Sequence, residues 1–219
     1  MCFSLVLPSH TMKKLWDISP PLDATSPVFP GDTVYRQHWA ATLTDNCPVN
    51  VSAITLSPHT GAHADAPLHY DPQGVAVGAL SIAPFLGPCR VIHALNAGPW
   101  VSTAHLQHAL KAVPPRVLVR TYRDFPLQHF DPHLTAVHPD TLHHLADLGV
   151  QLIGIDSASI DPADSKSLLS HQAIRQRGLR VLENLLLDDV PEGDYELIAL
   201  PLKLTTADAS PVRAVLREL

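Results

Sequence analysis

The chain is short of cysteine, of aromatic side chains, of glycine and of positive charge. Its three cysteines, Cys2, Cys47 and Cys89, are odd in number, widely spaced and never in a C-x-x-C pair. A disulfide framework or a zinc ribbon is thereby excluded, and Cys89, beside Arg90-Val91-Ile92, reads as a small core residue. With 15 Lys and Arg against 21 Asp and Glu, the net charge is −6, so no basic excess exists to neutralise nucleic-acid phosphates. No apolar run approaches the roughly 20 residues of a membrane span. The opening MCFSLVLPSHTMKK places its Lys pair after the short apolar run, the reverse of a secretory signal. A second Met at position 12 suggests that residues 1–11 are an extension outside the fold, with 12–219 forming the domain. A cytoplasmic protein is expected. Several hydrolytic motifs are missing too. There is no G-x-S-x-G elbow (Gly154-Ile155-Asp156-Ser157-Ala158 lacks the central Ser and the final Gly), no H-E-x-x-H and no phosphate-binding glycine loop.

Proline and histidine are abundant instead. Average usage gives about 11 Pro and about 15 Gly at this length; the chain has 21 and 10, with 14 His. Apolar residues make up 46%, enough for a real core in 219 residues. Gly and Pro punctuate the first hundred residues, leaving short β-prone runs such as Val49–Leu56 and Cys89–Leu95. Helical spacing over His105–Val113 follows a Ser102-Thr103 cap and stops at Pro114-Pro115. Beyond it, Arg116–Tyr122, Val150–Ile155 and Leu179–Leu182 read as strands, with helices at Pro139–Leu148 and Ser165–Arg177 between them. That alternation predicts parallel pairing with crossover helices, finished by strands at Glu196–Leu204 and Val212–Leu216. A single α/β domain results, β-rich in its first half and βαβ in its second.

The chemistry concentrates in Ser57–His69. Here His59, His63, Asp65 and His69 fall at offsets 0, 4, 6 and 10. All are even, so an extended chain would present them on one face. Pro58, Gly61 and Pro67 oppose a helix. A straight strand also fails, because His59 and His63 would stand about 13 Å apart, while Zn–N bonds are about 2.0–2.1 Å. A bend at Thr60-Gly61, where glycine tolerates positive φ, would gather His59, His63 and Asp65 around one divalent ion. Mixed imidazole and carboxylate donors suit Zn²⁺, with Mn²⁺ or another ion able to substitute.

The pattern H-x-G-x-H-x-D-x-P-x-H over 59–69 resembles the signature of the metal-dependent cyclase family, in its bacterial kynurenine formamidase branch. The likeness extends through LWDISPP (15–21), PGD (30–32), LGPCRVIH (86–93), PPRVLVRTY (114–122), LIGID (152–156), LDDVPEGDYELIALPLK (187–203) and DASPVRAVLR (208–217). It implies a cyclase-like swivelling β/β/α fold with a mixed sheet. It also implies two metal ions: His59, His63 and Asp65 hold the first, Asp65 bridges, and a His and a Glu twelve residues apart complete the second. His171 and Glu183 stand at that spacing. On one continuous helix the pair would be about 18 Å apart, so Gly178 must end the helix and a returning strand must deliver Glu183.

The same resemblance makes the counterpart of His69 the catalytic proton donor and acceptor, which suits an imidazole; a third-ligand role is the competing possibility. The implied reaction is hydrolysis of N-formyl-L-kynurenine to L-kynurenine and formate by a metal-activated water. The branch usually carries a substrate-contacting Trp before its Pro-Gly-Asp turn, and this chain has Phe29, which keeps the aromatic face and drops the indole donor. A homodimer is implied, with Trp16 and Phe29 within reach of a neighbouring chain's pocket. The alternatives are a related cyclic-amide hydrolase acting on isatin, or a non-catalytic metal-binding protein. His105 and His108 lack an acidic partner in the sequence nearby. His143-His144 diverge, and His10, His38, His93, His129, His133 and His138 have no ligand-like spacing. Asp208–Ser210 reads as a turn without a catalytic role.

Overall fold

A computed structural model describes residues 13–219; the expected extension, residues 1–11, lies outside them. In chain order the elements are β1 (Leu15–Asp17), β2 (Arg36–Ala41), β3 (Val51–Thr55), β4 (His63–Asp65), α1 (Pro67–Tyr70), β5 (Leu86–His93), β6 (Trp100–Val101), α2 (Thr103–Leu106), β7 (Arg116–Arg120), β8 (Ala136–Val137) and α3 (Pro139–Asp147). There follow β9 (Leu152–Ile155), α4 (Leu169–Arg177), β10 (Arg180–Glu183), β11 (Gly193–Ile198), β12 (Ala209–Pro211) and β13 (Val215–Glu218). Nine strands form one mixed sheet in the order β1-β13-β11-β5-β7-β9-β10-β4-β12. The central run β5-β7-β9-β10 is parallel, as the strand–helix alternation requires, and its flanks are antiparallel.

Period-two alternation divides the core between the sheet's faces. From β7, Val117 and Val119 point to one side with Ile153 and Ile155 of β9, against Leu106, Leu142, Leu145 and Ile174 from the helices. Leu118 and Leu152 point to the other side, with Phe85, Leu182, Leu197 and Leu216. Cys89 is fully buried there, as its apolar setting predicts.

Several boundaries differ from the sequence expectation. The helix expected over Ser165–Arg177 starts only at Leu169, because the Ser165 hydroxyl accepts the Leu168 amide and Leu168 turns left-handed at φ 48°. His105–Val113 yields only a short helix and a 3₁₀ turn over Gln107–Ala109. The strand expected to reach Leu204 ends at Ile198, ahead of Pro201. Asp208–Ser210 is no turn: Ala209–Pro211 is a strand paired with β4. Nor does Trp16 reach outward. It packs edge-on against Tyr195 of its own chain, with ring centroids 5.0 Å apart. The strand β2, unforeseen, pairs with β3 in a separate two-stranded ribbon. Among the described residues, no helix is long and apolar enough to cross a membrane.

Candidate metal centre

The site forms where the C-terminal ends of the parallel strands meet β4, the position at which open α/β sheets gather ligands. Glu183 ends β10 and is the antiparallel partner of His63, so register alone sets their side chains next to each other. His63 and Asp65 are two apart on β4 and share a face. His59 belongs to the preceding turn, where Gly61 adopts φ +67° and a Cβ would meet Leu22 Cδ2 at 2.4 Å. This is the bend that the spacing demanded. His69 lies on α1, a four-residue helix with Pro67 at its start, not on an extension of the strand. His171 enters from the first turn of α4, and Gly178, left-handed at φ 65°, ends that helix so that β10 can return with Glu183.

The donor atoms converge around buried Asp65. Its Oδ1 lies 3.1 Å from His59 Nδ1 and 3.4 Å from His63 Nε2, and its Oδ2 lies 3.2 Å from His171 Nε2. Glu183 spans the same two imidazoles, with Oε2 at 3.3 Å from His63 Nε2 and Oε1 at 3.6 Å from His171 Nε2. Neighbouring ligand atoms of a tetrahedral ion with bonds of about 2.0–2.1 Å stand about 3.3 Å apart. The spacings match the edges of such a polyhedron better than they match direct hydrogen bonds. His63 Nε2 and Asp65 Oδ1 are, moreover, buried without a hydrogen-bond partner. Two facing orphaned polar atoms are costly in a protein interior unless a cation lies between them.

The far side of each imidazole supports the same assignment. His59 Nε2 donates to Asp208 Oδ2 at 2.9 Å, His63 Nδ1 to the Gly61 carbonyl at 2.8 Å, and His171 Nδ1 to Asp161 Oδ2 at 2.7 Å. Metal-ligating histidines characteristically anchor their outer N–H in this way, which fixes tautomer and ring orientation. Asp161 also accepts the amides of Ser170 and His171, so one carboxylate starts α4 and orients its ligand. The donor set therefore fits divalent metal, and His59, His63 and Asp65 form one compact triad within it.

The charges of the cluster shift its own titrations. Burial disfavours the imidazolium of His63, but Asp65 and Glu183 overcome it and raise its pKa to about 10. His171 is raised to about 10 in the same manner by Asp161, Asp65 and Glu183. Burial opposes the Asp65 carboxylate, yet the imidazoles of His171, His59 and His63 around it hold it well below the ordinary range. An imidazole must offer a lone pair to ligate, so these raised pKa values link metal binding to proton release.

A cavity of about 460 Å³ opens onto the centre, and His59, His63, His69, His171 and Glu183 form its floor. Phe29, Tyr122, Phe125 and Phe130 line its walls; Phe29 meets Phe130 edge-on at 4.9 Å, within its own chain. The wall segment is tied down by Asp156 at the end of β9, which accepts the amides of Thr121 and Tyr122 and the Thr121 hydroxyl. Desolvation of this carboxyl pushes its pKa up to about 6.

The structure places His59, His63, Asp65, His69, His171 and Glu183 near one another and Phe29 on the cavity wall, but the sequence reading missed others. Asp208 and Asp161 enter from distant segments, and His129 also lines the cavity. His108 does have an acidic partner, Glu192, at 3.0 Å, 84 residues along the chain. Only Asp208 carried an available signal, in the DASPVRAVLR run shared with the family.

The Cyclase family model matches residues 16–162. The kynurenine formamidase of Paracidovorax citrulli is 68% identical over 211 residues, covering 94% of this chain and 98% of that protein. That of Bordetella pertussis is 66% identical over 208 residues, covering 95% and 100%. Among solved structures, a predicted metal-dependent hydrolase from Bacillus stearothermophilus superposes with a TM-score of 0.80 at 28% identity, covering 94% of this chain and 99% of that one. An isatin hydrolase bound to the product analogue thioisatinate superposes with a TM-score of 0.80 at 23% identity, covering 94% and 92%, a likeness of fold alone.

Proposed function

Because the chain belongs to the cyclase family, in its kynurenine formamidase branch, we propose that it hydrolyses N-formyl-L-kynurenine to L-kynurenine and formate. The observation that carries this reading is the donor set of His59, His63, His171 and Glu183 at an aromatic-walled cavity, converged on the buried carboxylate of Asp65. Two divalent ions, Zn²⁺ by donor chemistry, would be held by these five residues; bound there, they would supply Lewis acidity and lower the pKa of water toward neutrality.

The chain's own groups do the rest. Phe29, with Phe130 beside it, offers an aromatic edge and face to the aryl ring of the substrate. His69, at the cavity floor with about a third of its side chain exposed, takes the proton of the attacking water as oxygen bonds to the formyl carbon. It then delivers a proton to the aniline nitrogen as the C–N bond breaks, which makes the amine a viable leaving group. Water adds across the amide in total, and formate and the free aryl amine depart.

The test is kynurenine release from N-formyl-L-kynurenine by the purified protein, before and after chelation and after Zn²⁺ return. Activity that vanishes with chelator and is restored by Zn²⁺ is expected. Turnover untouched by chelation, or metal-dependent turnover of isatin with none of the formamide, would refute the assignment.

A homodimer is part of the proposal, and the β2–β3 ribbon supports it. Trp39 and Ile54 are each 57% exposed and Leu43 is 62% exposed there, an apolar surface that a lone chain would not retain. Sedimentation velocity is expected to give twice the 23.8 kDa chain mass; a monomer at micromolar concentration would remove this part.

A further inference from the structure

Asp208 stands outside the residues assigned above, and it does not line the cavity. Its Oδ2 nevertheless receives two imidazoles at once: His59 Nε2 at 2.9 Å and His69 Nδ1 at 3.1 Å. The main chain of Asp208 is fixed beside the site. Its carbonyl accepts the Ala66 amide at 2.8 Å, and the preceding Ala207 carbonyl accepts Val77 at 2.9 Å. The next residue, Ala209, is the strand partner of Asp65. Asp208 is thus fastened to the signature segment on either side of α1. An ionised carboxylate only accepts. Both rings must therefore present an N–H to it.

That requirement has a definite consequence for each ring. A His59 protonated at Nε2 leaves Nδ1 as the lone-pair nitrogen, and Nδ1 is the atom 3.1 Å from Asp65 Oδ1. A His69 protonated at Nδ1 leaves Nε2 free for the reacting atoms. Without Asp208, each ring could take either tautomer or flip, and half of those states would turn an N–H toward the ion or toward the proton to be abstracted.

We propose that Asp208 is a positioning residue that sets, through one oxygen, the tautomer of a metal-ligating imidazole, His59, and of the proton-transferring imidazole, His69. It couples them, so that the ring that shapes the metal site and the ring that moves protons are oriented by the same group. This rests on the proton-transfer role given to His69 above.

The test uses Asp208→Ala in the full-length, Zn²⁺-loaded protein, with Asp208→Asn as a partial restoration that retains one neutral acceptor. The side chain is 40% exposed, so folding is expected to survive the change. Three quantities are read: zinc content, kcat and KM separately for N-formyl-L-kynurenine, and the ¹⁵N shifts of the imidazole rings, which report the tautomer whether or not turnover is observed. Zinc content at saturating Zn²⁺ and KM are expected to stay within about twofold, while zinc affinity weakens and kcat falls about 10- to 100-fold. The His69 signal is expected to change from Nδ1–H to a tautomer mixture, with Asp208→Asn intermediate in both. An unchanged His69 tautomer in Asp208→Ala overturns the proposal, as does an unchanged kcat. Stoichiometric loss of zinc overturns it differently, by making Asp208 a ligand in the cluster it forms with His59 and His69. If the wild-type protein failed to turn over the formamide, the ring shifts would still decide the role of Asp208, so the two readings fail separately.

Discussion

Asp65→Asn is expected to leave a folded protein that retains almost no metal and has lost at least about 10³-fold in kcat/KM, a loss of about 4 kcal/mol in transition-state stabilisation. The size of the effect follows from how completely this carboxylate is used. It is fully buried, its Oδ1 faces His59 and His63, and its Oδ2 faces His171. An amide of the same shape offers one acceptor and turns an N–H₂ toward the other set of donors, so one side of the cluster would face a donor where it needs an anion. The charge is removed as well, and with it one of the carboxylates that balance His63 and His171. Elemental analysis after gel filtration, run beside the formamidase assay, checks both halves. A variant that kept its metal, or that stayed active, would remove Asp65 from the centre of the mechanism.

His69→Gln should separate what Asp65→Asn loses together. Removing a positioned acid–base group costs about 10²–10⁴-fold in rate, and kcat is expected to carry that loss while KM and metal content stay near wild type. The separation is expected because His69 makes its fixed hydrogen bond outward, to Asp208, and sits on a short helix apart from the strand that carries His63 and Asp65. Glutamine keeps a polar group in the place of the ring but has no titrating nitrogen near neutral pH. Steady-state kinetics with metal analysis on the same preparation decide the matter. If metal fell in parallel with kcat, His69 would move to the ligand set, consistent with its closeness to Asp65 and His171.

The local part of this site was legible in the sequence because its geometry is local. Offsets of 0, 4 and 6 with a glycine between the first two histidines admit few backbones that close on one ion, and the positive φ of Gly61 is the one that does. His171 and Glu183 were legible for a related reason: twelve residues and a Gly178 between them describe a helix end and a strand return, although family likeness was needed to select them. Asp208 was illegible as chemistry. Nothing about Ala207-Asp208-Ala209 separates it from a surface turn. Only the pairing of β12 against β4 brings it 139 residues back to His69. The same holds for Asp161, whose role depends on α4 starting at Leu169 rather than at Ser165. The β2 strand escaped because Arg36–Ala41 is half polar and largely exposed, so no buried face imposes an alternation on it.

The placement of β4 between β10 and β12 governs the order in which the centre can come into being. The ligand-bearing segment His59–Asp65 leaves the ribosome long before the strands on either side of it, and His171 must reach Asp65 across 106 residues. The parallel run β7-β9-β10 pairs segments close in sequence, whereas β4 pairs with β10 and with β12, both far along the chain from it. Contacts of such long sequence separation are the slow ones in folding. The metal centre therefore draws on pairings that span the sequence from β4 to β12, and retention of an ion is expected to report that these distant segments have come together.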